Sequence, residues 1–269
     1  MPALAALAPY DLPEVRPAMD DWWRGLSAHL GNAGIQDIPT SLTRGGDPFA
    51  VWESPDLLLA QTCGYPLVTR LAGKVRALAT PCYVSVHSDG PLYGSLLMVR
   101  EDDDATNLAD FAGRPAAIND WLSHSGYNVL RASVAPLARD GRFFSEIVEA
   151  GSHRDSIAAV RAAKADIMAM DCITFALVAR YAPTELDGTR ILGETATAPG
   201  LPYVTQNGVD NQTRQRLLDG LMAAAEDPTL AAARDDLLLA GFVAADNDDY
   251  AVMSDMAAGA AEQGLADLP

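Results

Sequence analysis

Short apolar runs alternate with amphipathic stretches along most of this chain, and that alternation constrains the fold more than any other feature. Residues 3–9, 55–61, 92–100, 116–118, 165–171, 191–193 and 201–205 read as buried strands. Between them, residues 14–30 space Met19, Trp22, Trp23, Leu26 and Leu30 as one helical face. Further helices are expected over 47–52, 129–135, from 152 onward, over 174–181 and through the tail from 211 to about 261, with shorter strands at 41–44, 74–79 and 83–87. Strands alternating with helices predict an α/β fold with largely parallel sheets. In such sheets ligands collect beyond the carboxyl ends of the strands. The polar and aromatic residues Tyr10, Gln61, Thr62, Tyr65, Asn119, Ser123, His124, Ser125, His153 and Asp171 fall in those places.

One of these strand ends is distinctive. The run Ala116-Ala117-Ile118 follows a Gly113-Arg114-Pro115 turn and empties into Asn119-Asp120-Trp121-Leu122-Ser123-His124-Ser125-Gly126-Tyr127-Asn128 before a helix. A Ser-x-Ser-Gly turn at a helix N-terminus gathers hydroxyls beside first-turn amides at the positive end of the helix dipole, which makes an anion seat. The plainer reading is that Ser123 or Ser125 is an N-cap. Ser152 is likewise a cap candidate, with Asp155 three residues on.

Composition sets the outer limits. With 269 residues, 49% of them hydrophobic, the chain has enough material for one large domain or two lobes of about 100 to 150 residues. A formal charge of −17 argues against nucleic acid or an anionic membrane surface as partner. It does not exclude a small anion, whose binding is local. Cys63, Cys82 and Cys172 are too few for a disulfide framework or a zinc site; one Cys63–Cys82 bridge and buried thiols both remain open. No metal or cofactor is implied. No apolar run approaches the ~18 residues of a membrane span. The first seven residues lack the basic and long apolar regions of a secretory signal, so the chain is expected either to be cytoplasmic or to have lost a leader.

The stretch Leu59 to Leu67, the Asn119-x-x-x-Ser123-x-Ser125-Gly126-Tyr127-Asn128 run, and Gly151-Ser152-His153 followed by Ala165-Asp166-Ile167 and Asp171 resemble the phosphate, phosphite and phosphonate-binding proteins of ABC importers. The resemblance spans residues 3–210 in order. It implies a type II periplasmic-binding-protein fold: two α/β lobes joined by two crossover strands, with a ligand cleft between them. The first lobe is then 1–98 plus 205–269 and the second, inserted, 99–204. It implies a small oxyanion ligand, an ABC permease as partner, a periplasmic setting, and a monomer or weak dimer. The family's Ser-Thr-Ser seat falls on Ser123, His124 and Ser125, so a histidine stands where a hydroxyl is expected. The family histidine falls on His153, its carboxylate on Asp171, and its first-lobe tyrosines on Tyr10 and Tyr93, with Gln61, Thr62 and Tyr65 on first-lobe turns.

These residue types suit a tetrahedral oxyanion, which asks for directed donors rather than bulk positive charge. Each has a structural reading beside it: Asp171 as a helix N-cap, Tyr93 as core, the adjacent tryptophans as packing. The leading expectation is a solute-binding protein that closes on its ligand by a hinge and makes no covalent bond. The alternative is a cytosolic enzyme or ligand sensor on the same fold, prompted by Ser, His and Asp in one chain. No Gly-x-Ser-x-Gly, His-Glu-x-x-His, Gly-x4-Gly-Lys or Gly-x-Gly-x-x-Gly motif supports the enzyme.

Overall fold

The computed structural model describes residues 3–269; Met1 and Pro2, where the expected first lobe and the N-terminal reading begin, lie outside the described residues. The chain divides into two compact units. The first runs to Val84 and adds Asp89–Pro91 and Pro199–Tyr250; the second holds Ser85–Ser88, Leu92–Ala198 and Ala251–Pro269.

The first unit is built on a five-stranded sheet in the order Leu4–Ala6, Leu57–Gln61, Tyr203–Gln206, Val75–Tyr83, Leu239–Ala244. Only the first pair is parallel; Tyr203–Gln206 returns antiparallel to both of its neighbours, and Leu239–Ala244 is antiparallel too. The expectation of largely parallel sheets therefore fails here, because late strands are threaded back into the early sheet. Val75–Tyr83 continues through Pro81, where two strands were expected. Pro81 is tolerated because the pairing with Tyr203–Gln206 reaches only to Ala79, so one side of the strand needs no donor at that residue. Residues 41–44 form no strand and are held by the Thr43 amide on the Ala5 carbonyl, 2.7 Å. The helix Arg16–Asn32 follows a one-turn 3-10 segment, Pro13–Val15, and buries Met19, Trp22, Trp23, Leu26 and Leu30. Trp22 stacks on Phe242 at 6.0 Å and donates to the Tyr203 hydroxyl at 3.2 Å, so both tryptophans are core, the second donating to the Pro39 carbonyl.

The second unit carries a sheet in the order Thr189–Glu194, Ser95–Arg100, Ile167–Asp171, Ala116–Ile118, Ile147–Glu149. The first two pairings are antiparallel and the last two parallel. Three strands pointing the same way thus end at one edge, and their ends deliver Asn119, the Ser152–His153 turn and Asp171. At the opposite ends of these strands, Arg114 bridges Asp103 and Asp166, and Arg100 joins Asp166 at 2.7 Å. The Arg114 guanidinium holds the Asp103 carboxyl below the ordinary carboxylate range.

The tail departs from expectation twice. Residues 239–244 are a strand rather than helix, and the helix Ala251–Glu262 belongs to the second unit, whereas the sequence placed all of 205–269 in the first. The reason is tertiary. Asn128 donates to the Met253 carbonyl at 2.9 Å, Arg131 to the Ala266 carbonyl at 2.5 Å, and Tyr127 to Asp267 Oδ1 at 2.5 Å. No described helix is long and apolar enough to cross a membrane. No disulfide joins Cys63 and Cys82.

Candidate functional site

In the second unit the strand Ala116–Ile118 ends at Asn119, and Asp120 folds the chain back: its Oδ1 accepts from the Leu122 amide and its carbonyl from the Ser123 amide. Ser123 is the N-cap, with Oγ accepting from the Gly126 amide at 3.0 Å. The following turn, His124–Asn128, is π-helical rather than α-helical: the Asn128 amide reaches the Ser123 carbonyl and the Val129 amide the His124 carbonyl. Single π turns of this kind recur at functional sites because they re-aim consecutive side chains. The helix Val129–Val134 continues from it, and all five residues of the π turn are buried.

Ser125 Oγ lies 3.0 Å from His153 Nε2, and that nitrogen lies 3.6 Å from Asp171 Oδ2. His153 opens the helix His153–Arg161, whose cap is Ser152 Oγ accepting from the Asp155 amide. Burial pushes the His153 imidazole below its ordinary value, against the opposing pull of Asp171 and the Ala169 carbonyl, so the ring is neutral. Asp171 caps the helix Cys172–Tyr181: Oδ1 accepts from the Ile173 and Thr174 amides at 2.8 and 2.9 Å, and Oδ2 from the Thr174 hydroxyl.

His124 is fully buried, and desolvation pushes its pKa down to about 3. Its Nδ1 lies 3.2 Å from Asn128 Nδ2, and Tyr93, also buried, has its ring centroid 6.3 Å from the His124 ring. The ring is therefore uncharged at neutral pH. Gly126 is required by space. A Cβ there would stand 1.8 Å from Asn119 Oδ1 and 3.3 Å from His153 Cε1. The buried Asn119 Oδ1 has no hydrogen-bond partner among the described residues.

Of the predicted residues, the structure brings Asn119, Ser123, Ser125, His153 and Asp171 together in the second unit, with His124 and Tyr93 beside them. Tyr10, Gln61, Thr62 and Tyr65 lie in the first unit. There Tyr10 packs edge-on against Tyr83 at 5.2 Å, and Gln61 Nε2 donates to the Tyr83 hydroxyl and the Leu201 carbonyl, each at 3.1 Å. Thr62 is buried, its hydroxyl on the Cys63 carbonyl at 3.4 Å. Tyr65 sits half-buried on the short helix Gly64–Val68. Sequence reasoning missed Tyr83, Ser95 and Thr174. Ser95 donates its hydroxyl to the Ser125 carbonyl at 2.9 Å and pairs in register with Asp171. Its only signal was a polar residue at an otherwise apolar strand's first position.

The Ser, His and Asp are not a hydrolytic triad. In a triad the carboxylate holds the imidazole nitrogen remote from the serine. Here Asp171 approaches the same Nε2 that meets Ser125, and its oxygens are taken by a helix cap. The arrangement positions donors. It does not activate a nucleophile.

Among curated proteins, none matches this sequence. Several solved structures share the fold. PhnD1 from Prochlorococcus marinus, solved with methylphosphonate, is 14% identical over 96% of this chain and 97% of its own, with a TM-score of 0.77. A binding-protein component of an ABC phosphonate transporter from Pseudomonas aeruginosa is 15% identical over 97% of this chain and 87% of its own, TM-score 0.76. A Xanthomonas citri protein solved with ATP is 18% identical over 97% of both chains, TM-score 0.72. The type II periplasmic-binding-protein fold expected from the sequence is thereby supported. Residues 53–250 match the family described as ABC transporter, phosphonate, periplasmic substrate-binding protein, which is a binding family and not an enzyme family. This chain belongs to the periplasmic substrate-binding proteins of phosphonate ABC transporters.

Proposed function

We propose that the Ser123–Asn128 turn, with His153 and Asp171, seats the oxyanion of a small phosphonate, phosphite or phosphate-type ligand. The observation that carries the reading is Ser125 Oγ held 3.0 Å from a largely buried, neutral His153 at the start of a helical run. The carbonyl oxygen of Asn119 beside Gly126, without a hydrogen-bond partner among the described residues, adds an acceptor for a protonated ligand oxygen or an organic ammonium. Methylphosphonate in the Prochlorococcus protein supports the ligand class. Tyr10, Gln61, Thr62, Tyr65 and Tyr93 are proposed as further ligand contacts on the strength of the family resemblance alone.

Family membership implies an ABC permease as partner and the periplasm as setting. For this chain we propose a monomer or weak dimer in that compartment, checked by sedimentation and by fractionation of the cells that make it. The ligand test is calorimetry and thermal shift with phosphate, phosphite, methylphosphonate and 2-aminoethylphosphonate. A ligand at 100 times its Kd stabilises the fold by about 2.7 kcal/mol. Ser125→Ala with His153→Ala should abolish the response with the far-ultraviolet spectrum unchanged. A response to none of the four compounds, or one that survives the double substitution, overturns the assignment.

A further inference from the structure

Arg131 is buried one turn beyond the seat, and a guanidinium carries only hydrogen-bond donors. Its Nη2 lies 3.2 Å from Asn128 Oδ1, which fixes that atom as the amide's acceptor. The amide nitrogen of Asn128 must then donate both its hydrogens. One goes to the Met253 carbonyl at 2.9 Å and the other to His124 Nδ1 at 3.2 Å. A ring nitrogen that accepts a hydrogen bond holds a lone pair, so the proton of a neutral imidazole stands on Nε2.

The guanidinium is itself held from the tail. Arg131 Nη1 donates to the Ala266 carbonyl at 2.5 Å and to the Tyr127 hydroxyl at 3.1 Å, and that hydroxyl donates to Asp267 Oδ1 at 2.5 Å. Asp267 Oδ1 also accepts from the Leu268 amide at 2.9 Å. Every member of this chain of contacts is in the second unit.

We infer that Arg131 and Asn128 are positioning residues that lock His124 as the Nε2-protonated neutral tautomer, with the C-terminal segment from Met253 to Asp267 as the anchor of the relay. Full burial of His124, which disfavours the imidazolium, agrees with this. The consequence for the ligand rests on the proposed function. A hydroxyl both donates and accepts, whereas an Nε2–H only donates. At this position the relay therefore sets a donor where the family's hydroxyl offers either role.

The test is proton-detected nitrogen-15 spectroscopy of the histidine rings in the ligand-free full chain, between about pH 5 and 8. His124, assigned by its loss in His124→Gln, should show an unprotonated Nδ1 and a protonated Nε2 throughout. A protonated Nδ1, as tautomer or imidazolium, refutes the relay. Asn128→Asp keeps the size of the side chain and the Arg131 contact but replaces the donor facing Nδ1 by an acceptor. It should move a proton onto Nδ1 while the helix signal stays intact, and an Nδ1 still bare in that variant also refutes the relay. If Asn128→Asp does not fold, Asn128→Ala should give a mixture of both tautomers, and retention of a single Nε2–H form counts against the inference. Methylphosphonate titration runs alongside. Correct tautomer without binding sinks the proposed function and leaves the relay standing; binding with the opposite tautomer does the reverse.

Discussion

Acid should weaken the second unit through His124 in a way that a substitution can isolate. The imidazole titrates near 6.5 in an unfolded chain and at about 3 in the folded protein. As pH falls, the unfolded state takes the proton first, so stability is full above 6.5 and is lost as pH drops toward 3. Each pH unit in that window costs about 1.4 kcal/mol, so at pH 5 the loss from this one residue is about 2 kcal/mol. His153, also depressed by burial, loses stability in the same direction, and the paired carboxylates add a background of acid sensitivity. His124→Thr restores the family's hydroxyl and removes only the first of these contributions. Its own packing loss is measured at neutral pH and subtracted. The assay is urea unfolding of both proteins from about pH 7.5 to 5, followed by tryptophan fluorescence. Trp121, packed on Tyr127 at 5.3 Å, is the tryptophan of the second unit; Trp22, Trp23 and Trp52 lie in the first and respond alike in both proteins. The gap between wild type and variant should narrow or invert by about 2 kcal/mol on acidification. A gap that stays constant with pH means His124 is not a buried neutral group, and the reasoning falls.

Other substitutions read the site from different sides. Gly126→Ala puts a Cβ 1.8 Å from Asn119 Oδ1 and 2.9 Å from its Cγ, so the amide must swing away. Because the obstacle is a side-chain tip, stability should drop by only about 1 kcal/mol while methylphosphonate affinity falls at least about tenfold; unchanged affinity would remove Asn119 from the site. Asp171→Ala uncaps the helix Cys172–Tyr181 and should cost about 1 to 2 kcal/mol in thermal unfolding, a penalty that a mere surface carboxylate would not show. Tyr127→Phe deletes the hydroxyl that joins Arg131 to Asp267, and hydrogen exchange at the Leu268 amide should speed up by about tenfold, with no change expected in the first unit.

What could be read from the sequence was what short-range chemistry determines. Ser123 as cap, Ser152 as cap and Asp171 at a strand end all follow from rules that act within three residues, and the structure has all three in place. The π turn was not legible. It is stabilised by Asn128, whose amide finds its partner at Met253, and no local pattern announces a contact of that sequence separation. The same holds for the strand Leu239–Ala244. In an Ala- and Leu-rich tail its apolar run fits helix as well as strand, and only the edge offered by Val75–Tyr83 decides it. Placing residues 251–269 with the first lobe failed for a related reason: the helix Ala251–Glu262 has little amphipathic contrast, and hydrogen bonds from Asn128, Arg131 and Tyr127 settle where it goes. The charge state of His124 was beyond reach as well, since burial decides it and burial is a property of the assembled unit.

That charge state bears on how so acidic a chain can hold an anion at all. With a formal charge of −17, the long-range field repels a phosphonate, and a salt bridge at the surface would be screened and worth little. A buried cation would attract strongly but carries a desolvation cost of several kcal/mol when the site is empty. The second unit avoids both. His124 and His153 are kept neutral by burial, Ser123 and Ser125 stand at a helical turn, and Arg131, the buried cation nearest to the turn in sequence, turns its two Nη groups to Asn128, Tyr127 and Ala266. At the proposed seat attraction then comes from oriented N–H and O–H dipoles that act only at contact distance. Such a seat discriminates by where a ligand's oxygens carry hydrogens, not by its net charge.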